Sequence, residues 1–187
     1  IAMPRFLFVL ILPLLAACQE ADVPEPAAPT PQAVEEAESE SQVDPNETDA
    51  ERLSRVLEAQ PEPIRARYDE RHPQATLEFF GVEPGMTVVE ALPGSGWYTR
   101  ILLGYLGAEG GLIGANYALE MWPLFPFGTE AFMMEMRRWP DQFQAQTEQW
   151  CADDCPSTDT FWLGSMPDEM AGTADVAMFI RALHNLA

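Results

Sequence analysis

The stretch from Val88 to Thr99, VVEALPGSGWYT, constrains this chain more than any other. Two β-branched residues lead into Glu90, Gly94 and Gly96 follow with Ser95 between them, and Trp97-Tyr98-Thr99 opens a helical pattern. Strand, glycine turn and helix in that order begin a parallel βαβ unit, because parallel strands need a crossover connection. The run Thr87 to Ala91 is apolar on consecutive positions, as expected of a central strand covered on both faces. GLIGANY supplies the next strand and ADVAMFI, Ala174 to Ile180, a later one. The expected fold class is α/β, doubly wound and Rossmann-like.

Two readings of the glycine turn stay open. A Cβ at Gly94 or Gly96 would keep a ligand away from the N–H groups at a helix start, where anions bind. The same two glycines also suit a tight turn with close helix packing and no ligand. Leu92-Pro93 precedes them, where positive φ is costly for leucine and proline fixes its own φ near −65°. An altered entry to the loop is expected. The Gly-x-Gly-x-x-Gly spacing of a nicotinamide site is not met, because Thr99 stands at the third glycine position.

Around this unit, Thr48 and Asp49 are placed to cap a helix with Leu53, Val56 and Leu57 on one face, stopped by Pro61 and Pro63. ATLEFFGV carries a second helical pattern, with Leu77, Phe79 and Phe80 apolar and Gly81 as its stop. WYTRILLGYLG is a third, with Ile101, Leu102 and Tyr105 inward. Between Tyr117 and Asp159 the chain is rich in Met, Trp and Phe. That segment reads either as a lid over a ligand crevice or as core helices, with Phe132, Met133, Met136 and Trp139 at helical spacing.

The sequence RYDERHPQATLEFFGVEPGMTVVEALPGSGWYTRILLGYLG, followed by GLIGANY, resembles the opening of class I S-adenosylmethionine-dependent methyltransferases. It is most similar to exported methyltransferase-like bacterial proteins that carry a Pro-Gly-Gly-Gly-Trp-Tyr-Thr type of loop. The resemblance runs from about Arg65 to the C-terminus and implies a methyltransferase domain over 48–187 that lacks its last strands. It implies S-adenosylmethionine as cofactor, with Glu90 facing its methionine end and Gly94, Ser95 and Gly96 in the cofactor loop. Asn116 stands where the family usually has an acid on the ribose hydroxyls; an amide accepts one bond and donates another, and a turn asparagine is the alternative. His184 and Asn185 fall on the methyl-acceptor side, with Arg181 nearby. A histidine there suits a general base, or is simply a packed or surface residue. His72, before Pro73, is read as shaping the chain entry. The acceptor, small molecule or protein, is not specified.

The N-terminus points to export. An apolar run of about a dozen residues follows Arg5, the length of a signal-peptide core and short of the roughly 20 needed to span a bilayer. It ends in Leu15-Ala16-Ala17-Cys18, which resembles the bacterial lipobox. That implies a signal peptide over 1–18, lipidation of Cys18 and a membrane anchor, with Gln19 favouring the periplasmic face of the outer membrane. Cleavage after Ala17 with Cys18 incidental is the alternative. Residues 19–47 are dominated by Pro, Ala and Glu, without aromatics, and read as a disordered acidic tether.

With 30 acids against 10 basic residues, a net charge of −20 argues against nucleic acid as a partner. Cys151 and Cys155, four apart in an exported chain, suit a local disulfide better than a metal site, and no metal is expected. S-adenosylmethionine is made in the cytosol. A second reading is therefore a non-catalytic lipoprotein that keeps the fold and binds another ligand or a partner.

Overall fold

The structure, a computed structural model, describes residues 46–151 and 153–182. The signal-peptide, lipobox and tether readings, Cys18 included, fall almost wholly outside those residues, as do His184 and Asn185.

Four parallel strands form one sheet: β1 (Thr87–Ala91), β2 (Gly111–Asn116), β3 (Ser157–Trp162) and β4 (Val176–Met178), in the order β3-β2-β1-β4. Glu90 pairs with Gly114 on one side and Met178 on the other. β1 is thus an interior strand with Val88, Glu90 and Ala91 buried, and β2 is buried along its whole length, as in a parallel sheet covered on both faces. The fold is α/β and Rossmann-like. β3 follows a polar sequence with no fully buried residue, so its pattern carries little strand signal. β4 is shorter than the expected Ala174–Ile180, since Asp175 is drawn off to accept the Thr87 N–H and the chain turns after Met178.

The helices are α1 (Asp49–Glu58), α2 (Glu62–Arg65), α3 (Tyr68–Arg71), α4 (Pro73–Phe80), α5 (Trp97–Leu106), α6 (Glu130–Arg137) and α7 (Trp139–Trp150), with a 3-10 turn at Leu119–Leu124. Thr48 starts α1 through a capping box with Glu51, and Leu53, Val56 and Leu57 are buried as their spacing predicts. Burying each of these side chains stabilises by about 1.5–3 kcal/mol. They pack on α5, which is apolar nearly all round because α1 covers one side and α7 another. Gly104 makes the approach of α1 possible: a Cβ there would lie 3.2 Å from a Val56 methyl. In α4 only Leu77 of the three expected apolar positions is buried; Phe79 is 83% exposed.

The C-terminal end of α5 is tied from outside. Arg52 donates to the carbonyls of Tyr105 (2.9 Å) and Gly104 (3.3 Å) and pairs with Asp154 at 2.6 Å. Asp154 also accepts the Ala108 N–H, and it sits inside the loop closed by the Cys151–Cys155 disulfide. Burial alone would raise its pKa, but the Ala108 N–H and Arg52 hold it below the usual carboxylate range. The disulfide loop thus acts as a clip on α5, and α5 is the helix whose other end faces the candidate site.

Candidate functional site

In a parallel sheet, ligands collect beyond the C-terminal strand ends where the strand order reverses. Here the order reverses at β1, and two cavities open beside the loop that follows it. The first, about 310 Å³, lies between the loop after β1 and the segment after β4, with Glu90, Ser95, Arg71 and Arg181 in its wall. The second, about 300 Å³, lies between the same loop and the end of β2, walled by Asn116, Tyr117, Trp122, Phe132 and Met136. Leu92 and Gly94 belong to both walls. We call them the switch-point cavity and the aromatic cavity.

The dividing loop resolves the question raised by its sequence. Leu92 takes φ of 55°, the left-handed conformation that a glycine would adopt freely. The leucine changes the side chain and leaves the backbone path open, at a strain of about 1–2 kcal/mol. Its N–H donates to Ala115 at 2.7 Å, extending the β1–β2 ladder into the loop. Both glycines sit at positive φ, Gly94 at 59° and Gly96 at 74°, and they differ in what surrounds them. A Cβ at Gly94 would meet nothing within 4 Å, since the residue faces open space in both cavities. Gly96 lines neither: it starts α5 at φ 74°, and a Cβ there would lie 2.6 Å from the Trp150 ring. Its requirement is the turn and helix packing, not ligand approach. No side chain caps α5, so the helix start offers N–H groups rather than a closed end.

Glu90 is buried, 5% exposed, and accepts the Thr99 hydroxyl at 2.6 Å. Burial pushes its pKa up to about 7, only partly offset by the hydrogen bonds from Thr99. A carboxyl in this state has no cation beside it and would ionise fully once one arrived. Asn116 is also buried, and its Oδ1 accepts the N–H of Tyr117 at 2.8 Å. It stands in the wall of the aromatic cavity, across the loop from Glu90.

The segment after β2 settles between its two readings by dividing. Trp139 and Phe143 of α7 are buried core residues. α6 has no buried residue, and Phe132 and Met136 face the aromatic cavity. There Trp122 packs against Tyr117, Phe125 and Phe132, with centroids 5.1, 5.8 and 5.2 Å apart. The part that lines the aromatic cavity and the part that packs in the core are therefore consecutive in one segment.

Sequence reasoning missed Arg71. It ends α3, directly before His72, whose φ of 43° turns the chain into α4 as a shaping residue would. Its guanidinium lies 4.6 Å over the Trp97 ring, and its carbonyl accepts the Tyr98 hydroxyl at 3.1 Å. The sequence signal was a charged residue four before ATLEFF, readable only once α3 is known to cross the start of α5. Arg181 is exposed, with φ of 56°.

A larger cavity, about 640 Å³, is walled by helical residues and their connections, among them Leu57, Tyr68, His72 and Glu78. It touches no strand end or glycine loop. Among the described residues no three His, Cys, Asp or Glu converge as metal ligands, and no helix is long and apolar enough to cross a membrane.

No family model and no curated protein matches this chain. Among solved structures, it is similar to an S-adenosylmethionine-dependent methyltransferase from Aquifex aeolicus, 25% identical, over 38% of this chain and 36% of that one, with a TM-score of 0.27. The matched part is little more than a third of that chain's length.

Proposed function

We propose that this chain is a class I methyltransferase-like protein that binds S-adenosylmethionine across the loop after β1. The observation that supports this most is the pair of cavities sharing Leu92 and Gly94, one polar with a buried acid and one aromatic. A ligand with an amino-acid end and a nucleoside end matches both walls. Glu90 would hold the ammonium, Ser95 and the uncapped N–H groups of α5 the polar backbone of that end, and Tyr117 and Trp122 the adenine. Asn116 would serve the ribose from the wall of the aromatic cavity. Bound S-adenosylmethionine would supply an electrophilic methyl group on sulfur; the protein's part is to orient it and exclude water. His184 and Asn185 remain the candidates on the acceptor side.

A second reading is a non-catalytic binding protein. It is favoured by the internal partners of Glu90 and Asn116, which are already satisfied by Thr99 and the Tyr117 N–H. Calorimetry of the full-length chain with S-adenosylmethionine and S-adenosylhomocysteine tests the shared premise. Heats with a Kd near 1 μM, about −8 kcal/mol, are expected. A folded sample giving no heat with either would overturn it. Binding without methyl transfer to any acceptor would favour the second reading.

We also propose that the chain is an exported lipoprotein anchored through Cys18 on the periplasmic face of the outer membrane. Labelled palmitate should enter the wild type and be lost in Cys18→Ala; label retained by the variant would contradict the anchor.

A further inference from the structure

The Cys151–Cys155 disulfide sits where its loop touches both ends of one helix. Cys151 directly follows Trp150, the last residue of α7, and Cys155 lies just before β3, whose Ser157 N–H donates to the Gly110 carbonyl at 3.0 Å. The bond therefore closes the turn between a core helix and the edge strand of the sheet. On one side of that turn the Trp150 ring lies against the start of α5: the Arg100 guanidinium is 4.0 Å over it, and a Cβ at Gly96 would strike it. On the other side Asp154 reaches just past the far end, accepting the Ala108 N–H at 3.0 Å and pairing with Arg52. Gly107 leaves room for that pair, since a Cβ there would lie 3.2 Å from the Asp154 carboxylate.

Asp154 holds its place at φ 52°, a conformation that a residue with a Cβ keeps only where its surroundings enforce it. The disulfide one residue away and the Arg52 pair enforce it here. Both sulfurs are also placed for attack: Cys151 and Cys155 are half-buried, and both wall a cavity of about 290 Å³ between α7 and the start of β3. Access to the sulfur is one of the factors that set the rate of thiol–disulfide exchange. No third cysteine lies among the described residues, so the reducing equivalents come from another molecule. We infer that Cys151–Cys155 is an exchange site for a dithiol, and that its redox state is read at both ends of α5 and so in the loop after β1. A thiolate of the dithiol forms a mixed disulfide with one of the two sulfurs and displaces the other. The second sulfur of the dithiol then closes its own disulfide and displaces the first. Two electrons and two protons pass to Cys151 and Cys155, which become thiols, and the dithiol is oxidised.

Amide hydrogen exchange on the full-length chain, oxidised and after treatment with dithiothreitol, tests this, with alkylation counting the free thiols. Two amides report the two ends: Ala108, held by Asp154, and Arg100, whose N–H donates to the Gly96 carbonyl at 3.1 Å. Reduction should raise exchange at both by roughly tenfold or more, leave β1 and β2 protected, and reverse on reoxidation. Unchanged exchange at the two amides in the reduced protein would overturn the inference. So would reduction that unfolds the sheet, the behaviour of a purely structural staple, or a pair that stays oxidised against dithiothreitol while the domain is folded. Asp154→Gly separates the two arms, because glycine keeps the left-handed turn and removes the carboxylate. The oxidised variant should exchange faster at Ala108 alone, and its reduction should still raise exchange at Arg100. Reduction that no longer moves Arg100 in this variant would refute the route through Trp150. None of these readouts involves a ligand, so they stand or fall apart from the cofactor reading.

Discussion

The two cavities beside the loop after β1 are of similar size and share two wall residues, yet their chemistry is opposite. The switch-point side collects charge: a buried carboxyl, two arginines and a helix start. The aromatic side collects rings and a thioether, with one amide at its floor. The difference comes from which elements each side borrows. One wall is built by α3 and the segment after β4, which bring arginines; the other by the segment after β2, which brings Trp122, Phe132 and Met136. A single loop therefore presents two unlike surfaces to one ligand. The contrast makes the ligand's two ends separable by experiment.

The largest effect is expected where the dividing loop meets the core. Gly96→Val would force a β-branched residue to φ 74° and drive its Cβ into the Trp150 ring. Strain and overpacking together should cost about 4 kcal/mol, read as a lower denaturation midpoint. A loss under about 1 kcal/mol would mean the loop repacks freely and the division between cavities is not built in.

Glu90 comes next and marks the charged side alone. Its folded pKa of about 7 lies above its ordinary 4.5, so its contribution to stability is complete below about pH 4.5 and is lost as pH rises through about 7. The loss is on the order of 3 kcal/mol, since each tenfold change in proton affinity is worth about 1.4 kcal/mol. Glu90→Gln removes that slope and can still accept the Thr99 hydroxyl. It should match the wild type near pH 4 and exceed it in stability at pH 8, in urea titrations at the two values. Affinity for a ligand with an ammonium group should rise with pH through about 7 in the wild type and stay flat in the variant. Parallel profiles would show that Glu90 ionises as an ordinary surface acid.

On the aromatic side, Trp122→Ala should weaken adenosine binding about tenfold, the worth of one stacked ring, and leave L-methionine binding unchanged. The smallest effect belongs to the shared wall. Leu92→Gly relieves the positive-φ strain but gains backbone freedom in the unfolded chain, so the net change should stay within about 1 kcal/mol. A loss above about 2 kcal/mol would show that the leucine side chain, not the backbone path, holds the loop.

The same contrast separates what the sequence could convey from what it could not. β1, its turn and α5 are local: β-branched residues, glycines and a helical pattern follow each other within VVEALPGSGWYT, and their order alone marks strand, turn and helix. The capping box at Thr48 and the face formed by Leu53, Val56 and Leu57 are legible for the same reason. The roles of Gly94 and Gly96 were not, because what a Cβ would strike at Gly96 is Trp150, far away in the chain. β3 was illegible as a polar edge strand, with Ser157 and Asp159 exposed. Arg71 was illegible as a site residue because only the crossing of α3 over α5 puts it on Trp97. Leu92 shows the converse: its propensity argued against the conformation it adopts, and the ladder bond to Ala115 together with the sheet prevailed.

The central claim is that one ligand spans both cavities with its two ends distinguished. The indole N–H resonances of Trp97 and Trp122, assigned by single substitution in the full-length protein, report each side separately. S-adenosylhomocysteine should move both, adenosine Trp122 alone and L-methionine Trp97 alone. Adenosine moving Trp97, or S-adenosylhomocysteine leaving either resonance in place, would contradict the account.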